Sequence, residues 1–96
     1  MITLRATETF TQWLRALNDG RARALIVERL QRVARGLEGD VRSVGGGVSE
    51  LRINHGPGYR VYFTRRGRTL VVLLYGGDKS SQRRDIAKAI RLADSL

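Results

Sequence analysis

Apolar and polar residues follow two different periods along this chain of 96 residues, and the change falls near Asp40. Before it, apolar residues return every three or four positions, which is typical of amphipathic helices. After it they alternate, which is typical of strands with one buried face. The sequence therefore predicts helices in the first half and a sheet in the second, within one domain that spans residues 1–96.

The first half contains a short strand and two helices. Residues 2–6 alternate and predict the strand. Thr9 and Gln12 fit a capping box ahead of the apolar stripe of a first helix. Residues 18–20 (Asn-Asp-Gly) end that helix and begin a second one, whose outer face is rich in arginine. Two helices joined by so short a turn predict a helical hairpin.

Four segments of the second half predict strands: residues 41–44, 48–54, 59–64 and 69–75. The last is nearly all apolar, as in a central strand covered on both faces. Gly76 and Gly77 are expected to end the sheet, and Ser80 or Ser81 to cap a final helix. The predicted fold class is α+β, with the N-terminal strand and helical hairpin packed on a small, mainly antiparallel sheet of four or five strands, followed by a C-terminal helix.

The first hairpin gathers arginines on a sheet face that the protein is not expected to need for its own core. A turn centred on Gly56 places Arg52 opposite Arg60. The same register places Glu50 opposite Tyr62. Like charges directly across an antiparallel pair are destabilising, so the arginines need either a carboxylate such as Glu50 between them or an anion from outside. A structural Arg–Glu–Arg cluster and a phosphate-binding surface both stay open.

The second hairpin extends this face. If it closes with a two-residue turn at residues 66–67, Tyr62 pairs with Val71 and Tyr75 joins the face that carries the arginines. Tyr62 and Tyr75 could then stack on a nucleic-acid base, or could pack beneath the last helix.

Asp78 and Lys79 follow the last strand, beside the end of the sheet where Arg60 is expected. The helix start there offers free backbone N–H groups and a positive dipole end. Lys79 is therefore predicted to converge with Arg52 and Arg60 on one cleft. His55 lies at the tip of a Gly-Pro hairpin and is expected to be a solvated turn residue.

Composition points to an acidic partner. The net charge is +9, and of the 18 basic residues only Lys79 and Lys88 are lysine. Arginine binds phosphate through two parallel hydrogen bonds, so nucleic acid is the first partner to consider. With no cysteine and one histidine, a disulfide framework, a thiol nucleophile and a clustered metal site are excluded. Neither a signal peptide nor a membrane span is recognisable, so a soluble cytoplasmic protein is expected.

The string GVSELRINHGPGYRVYF, followed by LLYGGDKSSQRRDIAKAIRLA, resembles the RelE/ParE-superfamily toxins of bacterial type II toxin–antitoxin modules. Within that superfamily it is most similar to the HigB-like addiction-module killer proteins, and the resemblance covers essentially the whole chain. It implies the fold given above. It also implies a ribosome-dependent mRNA endonuclease that arrests translation or, less often, a gyrase poison.

In the RNA-cleaving branch of these toxins, basic residues on the sheet bind the scissile phosphate and help to cleave it through the ribose 2′-OH. The matching catalytic positions here are Arg52, Arg60 and Lys79. The predicted RNA-binding residues are Arg52, Arg60, Tyr62, Tyr75 and Lys79. No metal and no cofactor are expected, because the arginines can neutralise the charge that develops on the phosphate.

The general base stays open. Some relatives use a tyrosine or histidine near the last helix, where this chain has Ile86 and Ala87. The remaining candidates for the base are Glu50, Asp78 and Tyr75.

The resemblance also implies partners: a helix-turn-helix, HigA-like antitoxin, mRNA and the ribosome, with operator DNA bound only through the antitoxin and no membrane. Two alternatives stay open. A gyrase-directed, ParE-like toxin would need no phosphate-cleaving cluster. A non-catalytic nucleic-acid-binding module would bind with strong salt dependence and leave RNA intact.

Overall fold

The computed structural model describes residues 1–96 and confirms the predicted α+β class. The elements are β1 (Thr3–Ala6), α1 (Glu8–Ala16), α2 (Gly20–Ala34), β2 (Val41–Gly45), β3 (Val48–Ile53), β4 (Tyr59–Arg66), β5 (Leu70–Asp78), a 3₁₀ turn (Lys79–Ser81) and α3 (Gln82–Asp94). The strands form one sheet in the order β1-β5-β4-β3-β2, in which only the β1–β5 pair is parallel. None of the helices has the length and apolar character needed to cross a bilayer.

Helices cover both faces of the sheet. The hairpin of α1 and α2 packs on one face through Phe10, Ile26, Leu30 and Val33. On the other face, α3 packs through Ala89 and Ala93 onto a second core. The prediction that the arginine-bearing face is not needed for the core is therefore wrong. Its residues are polar in sequence, but α3 lies over Glu50 and Tyr62, while Arg52 stays partly exposed.

Local hydrogen bonds explain where the helices of the hairpin begin. Thr7, and not the predicted Thr9, caps α1: its Oγ1 accepts from Phe10 N at 3.1 Å and donates to the carbonyl of Leu74 at 3.0 Å. The same hydroxyl therefore starts α1 and ties it to β5. Asp19 caps α2 through a bond of 3.1 Å from Ala22 N to Oδ1, as the Asn-Asp-Gly turn predicts.

The register of the first hairpin is confirmed. Arg52 pairs with Arg60, and Glu50 pairs with Tyr62. The pairing of Tyr62 with Val71 is wrong, because Tyr62 pairs with Tyr75. The second hairpin has a three-residue loop, residues 67–69, and a bulge follows Tyr62. Tyr75 nevertheless shares the face of Tyr62, as expected.

Gly76 and Gly77 do not end the sheet, because β5 continues through both to Asp78. A Cβ added to Gly76 would lie 2.3 Å from ring atoms of Trp13 on α1. A Cβ on Gly77 would collide with the carboxylate of Asp85 on α3. At the two glycines a helix from each face thus lies too close to the β5 backbone to leave room for a side chain.

We predict that Gly76→Ala lowers the free energy of unfolding by about 1–3 kcal/mol, because the Trp13 ring must move to admit the methyl group. Urea unfolding would measure this. Gly20→Ala is the matched control: it lies at the start of α2, and the added Cβ would meet only the end of the flexible Arg23 side chain at 3.4 Å, so it should be neutral or stabilising by up to about 1 kcal/mol. A Trp13→Leu background should reduce the effect of Gly76→Ala, and equal effects in both backgrounds would contradict the prediction.

Candidate phosphate-binding cleft

Arg52, Arg60 and Lys79 line one open cleft of about 360 Å³ at the sheet edge where β3 and β5 end and β4 begins. We call it the basic cleft. It is completed by Asp40, Ile53, Asn54, Gly58 and Tyr59. The sheet register places the two arginines side by side, and the turn after β5 carries Lys79 to the same edge. The three cations predicted to converge therefore do so.

Arg60 is the most enclosed of the three, with 9% of its surface exposed. Its Nη1 donates to Glu50 Oε1 at 3.0 Å, which fixes the plane of the guanidinium. Its Nε is buried and has no hydrogen-bond partner within the protein. The side chain thus reaches the basic cleft from inside the molecule, and its donors are only partly committed.

Glu50 is fully buried beneath α3 and joins four donors. Arg42 Nε and Arg60 Nη1 both donate to Oε1, at 3.3 and 3.0 Å. Tyr62 OH and Gln82 Nε2 donate to Oε2, at 3.1 and 3.0 Å. The Arg–Glu–Arg cluster is therefore real, but its second arginine is Arg42 and not Arg52. A carboxylate so enclosed cannot reach a 2′-OH in the basic cleft, so Glu50 does not fit the predicted role of general base.

Neither tyrosine of this face is placed to stack on a base in the basic cleft. Tyr62 is fully buried in the second core, and burial, followed by the charge of Glu50, raises the pKa of its hydroxyl. Tyr75 packs beside the same core, and Lys88 Nζ lies 4.2 Å from the centroid of its ring. Both therefore pack beneath the last helix, which is the alternative that the sequence left open.

Arg52 has its own carboxylate. Its Nε and Nη2 donate to Asp40 Oδ1 at 3.2 and 3.0 Å, in a pair that is about half exposed. The guanidinium of Arg29 holds the strand beneath by donating to the carbonyl of Arg52 at 2.8 Å. Because both bonds from Arg52 go to Oδ1, the other oxygen of Asp40 has no side-chain partner.

Lys79 is exposed and forms no ion pair with any acidic residue. The preceding Asp78 instead caps the 3₁₀ turn, since its Oδ1 accepts from Ser80 N at 2.8 Å. Hydrogen bonding from the Ser80 side chain holds the pKa of Asp78 below its usual value. A carboxylate that is stabilised as an anion and does not line the basic cleft is a poor general base, so Asp78 does not fit that predicted role.

His55 is not the solvated turn residue predicted from its hairpin. Its Nε2 lies 3.0 Å from Oδ2 of Asp19, the residue that caps α2. The backbone bond from Ala22, and next the bond to His55, lower the pKa of Asp19. This contact ties the β3–β4 turn, which borders the basic cleft, to the helical hairpin.

Sequence reasoning missed Asp40, Asn54 and Tyr59 as cleft residues. The signal for Asp40 is the register of the hairpin before β3, where Val41 pairs with Leu51 and so brings Asp40 opposite Arg52. Tyr59 faces both the cleft and the first core, and it was predictable only as a core residue. No group of three or more histidine or acidic side chains is arranged to hold a metal ion.

We predict that Glu50→Gln lowers the free energy of unfolding by about 3–5 kcal/mol, because it leaves the buried Arg60 without a counter-charge. Asp40→Asn makes the same chemical change on the exposed partner of Arg52 and should cost less than about 1 kcal/mol. Thermal and urea unfolding of both variants at neutral pH would measure the difference. Equal losses of unfolding free energy in the two variants would show that the buried ion pairs of Glu50 contribute no more than the exposed Arg52–Asp40 pair.

Comparison with known proteins identifies the family. Residues 12–96 match the family described as Phage derived protein Gp49-like (DUF891), so every residue of the basic cleft lies in the matched region. An uncharacterized protein of Haemophilus influenzae is 47% identical over 95 residues, which cover 99% of this chain and 96% of that protein. The chain therefore belongs to the Gp49-like phage-derived protein family, which is associated with toxin–antitoxin modules and so implies a cognate antitoxin.

Proposed function

We propose that this chain is the toxin of a type II toxin–antitoxin module, of the RelE/ParE superfamily and HigB-like, and that it cuts mRNA on the ribosome. The observation that carries the proposal is the convergence of Arg52, Arg60 and Lys79 on one open cleft. These side chains come from two strands and a turn, and a fold has no need to bring three cations together at one opening. A backbone phosphate is the ligand that such a site fits.

The charge balance of the site also supports an anionic ligand. Glu50 carries one negative charge and shares one oxygen between Arg42 and Arg60. Asp40 offsets Arg52, and Lys79 has no acidic partner. Positive charge is therefore left over at the basic cleft. In a partly enclosed site it is available to stabilise the charge that develops on a phosphorane.

Asp40 replaces Glu50 and Asp78 as the proposed general base. It lines the basic cleft, and one of its oxygens is free while Arg52 holds the other. In the proposed step Asp40 takes the proton of the 2′-OH and the 2′-oxygen attacks phosphorus. The bond to the 5′-oxygen breaks, and Lys79 donates a proton to that oxygen. The products are a 2′,3′-cyclic phosphate and a 5′-OH.

We predict that Lys79→Ala lowers the rate of mRNA cleavage by roughly 10²–10³, because it removes a cation and the proposed acid. Asp40→Asn should lower it by roughly 10²–10⁴. Cleavage would be followed by primer extension on mRNA bound to purified ribosomes, with a parallel reaction on free RNA. Arg91→Ala, exposed near the end of α3, is the control and should cut at the normal rate.

A 2′-deoxy substitution at the cleaved nucleotide should block the reaction, because it removes the nucleophile. Full cleavage by the Lys79→Ala and Asp40→Asn proteins would refute the assigned roles. Induction in cells separates the alternatives: cut mRNA and arrested translation are expected. Arrested replication with an SOS response, or RNA that is bound and left intact, would overturn the nuclease.

A further inference from the structure

A second basic surface lies beside the cleft, between β2 and the start of α3. Arg42, Gln82, Arg83 and Ile86 line a hollow of about 280 Å³, which we call the side hollow. Three of its four residues are polar, so it is not an apolar groove. The side chain of Arg42 is about half exposed, and Arg83 is exposed.

The side hollow and the basic cleft share one buried carboxylate. Arg42 of the hollow and Arg60 of the cleft donate to the same oxygen of Glu50, at 3.3 and 3.0 Å. The two donor nitrogens, Arg42 Nε and Arg60 Nη1, are therefore no further apart than the combined length of these two hydrogen bonds. Gln82, which also lines the hollow, donates to the other oxygen. The two surfaces are thus neighbours held in fixed relation through Glu50.

The charge on the side hollow is not explained by folding. Arg83 lies in the first turn of α3, where the helix dipole disfavours a cation. It forms no ion pair with any acidic residue of the chain. Arg42 has Glu50, but it shares that carboxylate with Arg60. Arg84 shares both features but does not line the hollow, so it is the position of the unpaired Arg83 beside the half-satisfied Arg42 that points to an anion from outside.

We propose that the side hollow binds a second phosphate of the RNA strand whose scissile phosphate lies in the basic cleft. The inference rests on the proposed function. It defines a path for the RNA strand, which runs from the cleft over β2 and the start of α3. RNA fits better than an acidic protein segment, since Ile86 is the only apolar residue of the hollow and a bound amphipathic helix would need an apolar groove. The guanidinium groups of Arg42 and Arg60 meet at one carboxylate oxygen, and Arg83 lines the same hollow as Arg42, which suits successive phosphates of one backbone.

The test compares Arg83→Ala with Arg84→Ala. Arg84 is also exposed and lies in the same turn of α3, but it does not line the side hollow, since successive helical residues point about 100° apart. Both changes remove one charge and place alanine in the same helix turn, so both should leave Tm unchanged or raised. Any difference in RNA binding between them then reports the position of the arginine.

The probe is a fluorescein-labelled 12-nucleotide single-stranded RNA with 2′-O-methyl riboses, which this chemistry cannot cut. By fluorescence anisotropy, Arg83→Ala should bind about tenfold more weakly than wild type, and the slope of log K against log salt should fall by about 0.7. Arg84→Ala should bind like wild type. Poly-L-glutamate is the competing probe for an acidic protein partner, and its binding should not depend on Arg83.

Three outcomes would overturn the proposal: no loss of RNA affinity in Arg83→Ala, an equal loss in both variants, or a loss confined to poly-L-glutamate. Cleavage is scored separately on an all-ribose copy of the same RNA presented on ribosomes. A wild-type protein that binds the probe but leaves that copy intact refutes the nuclease alone. Failure of the proposed function is therefore distinguishable from failure of the side hollow.

Discussion

The buried carboxylate of Glu50 is the interaction on which the rest of the structure depends. An ionised group without contact with water is expensive unless hydrogen bonds and counter-charges surround it, and this one accepts from four donors. The donors come from the edge strand β2, from the neighbouring strand β4 and from the first residue of α3. One side chain therefore fixes how α3 sits on the sheet and where the guanidinium of Arg60 points.

The cations of the basic cleft differ in how far they are buried. Arg60 is held rigidly from within, whereas Arg52 and Lys79 stand at the opening, where water screens them and a ligand can displace their neighbours. A rigid inner donor combined with adaptable outer cations suits the flexible polyanion that we propose as the ligand. The same division explains why acidic residues inside the protein do not cancel the positive surface.

The sequence could predict what local chemistry decides. The first hairpin register followed from its Gly-Pro turn, and with it came the pairing of Arg52 with Arg60. The predicted register of the β4–β5 hairpin was wrong because neither its three-residue loop nor its bulge changes the alternation of apolar and polar residues in a recognisable way. The sequence also did not predict that α3 covers part of the arginine-bearing face. A face of polar residues is expected to be solvated unless the buried acid and its hydrogen-bond donors are considered together. Gly76 and Gly77 were interpreted as a break because no local pattern shows that the ring of Trp13 and the carboxylate of Asp85 occupy the space beside them.

The parallel pairing of β1 with β5 has a consequence for the order of assembly. The hydroxyl of Thr7 bonds to a carbonyl 67 positions further along the chain, so the first strand has no partner until β5 exists. Contacts between such distant segments slow the search for the native state. The strand β1 is therefore synthesised before its partner β5 and is among the latest parts of the sheet to be immobilised. Changes there should alter how quickly the protein matures as well as how firmly it holds together.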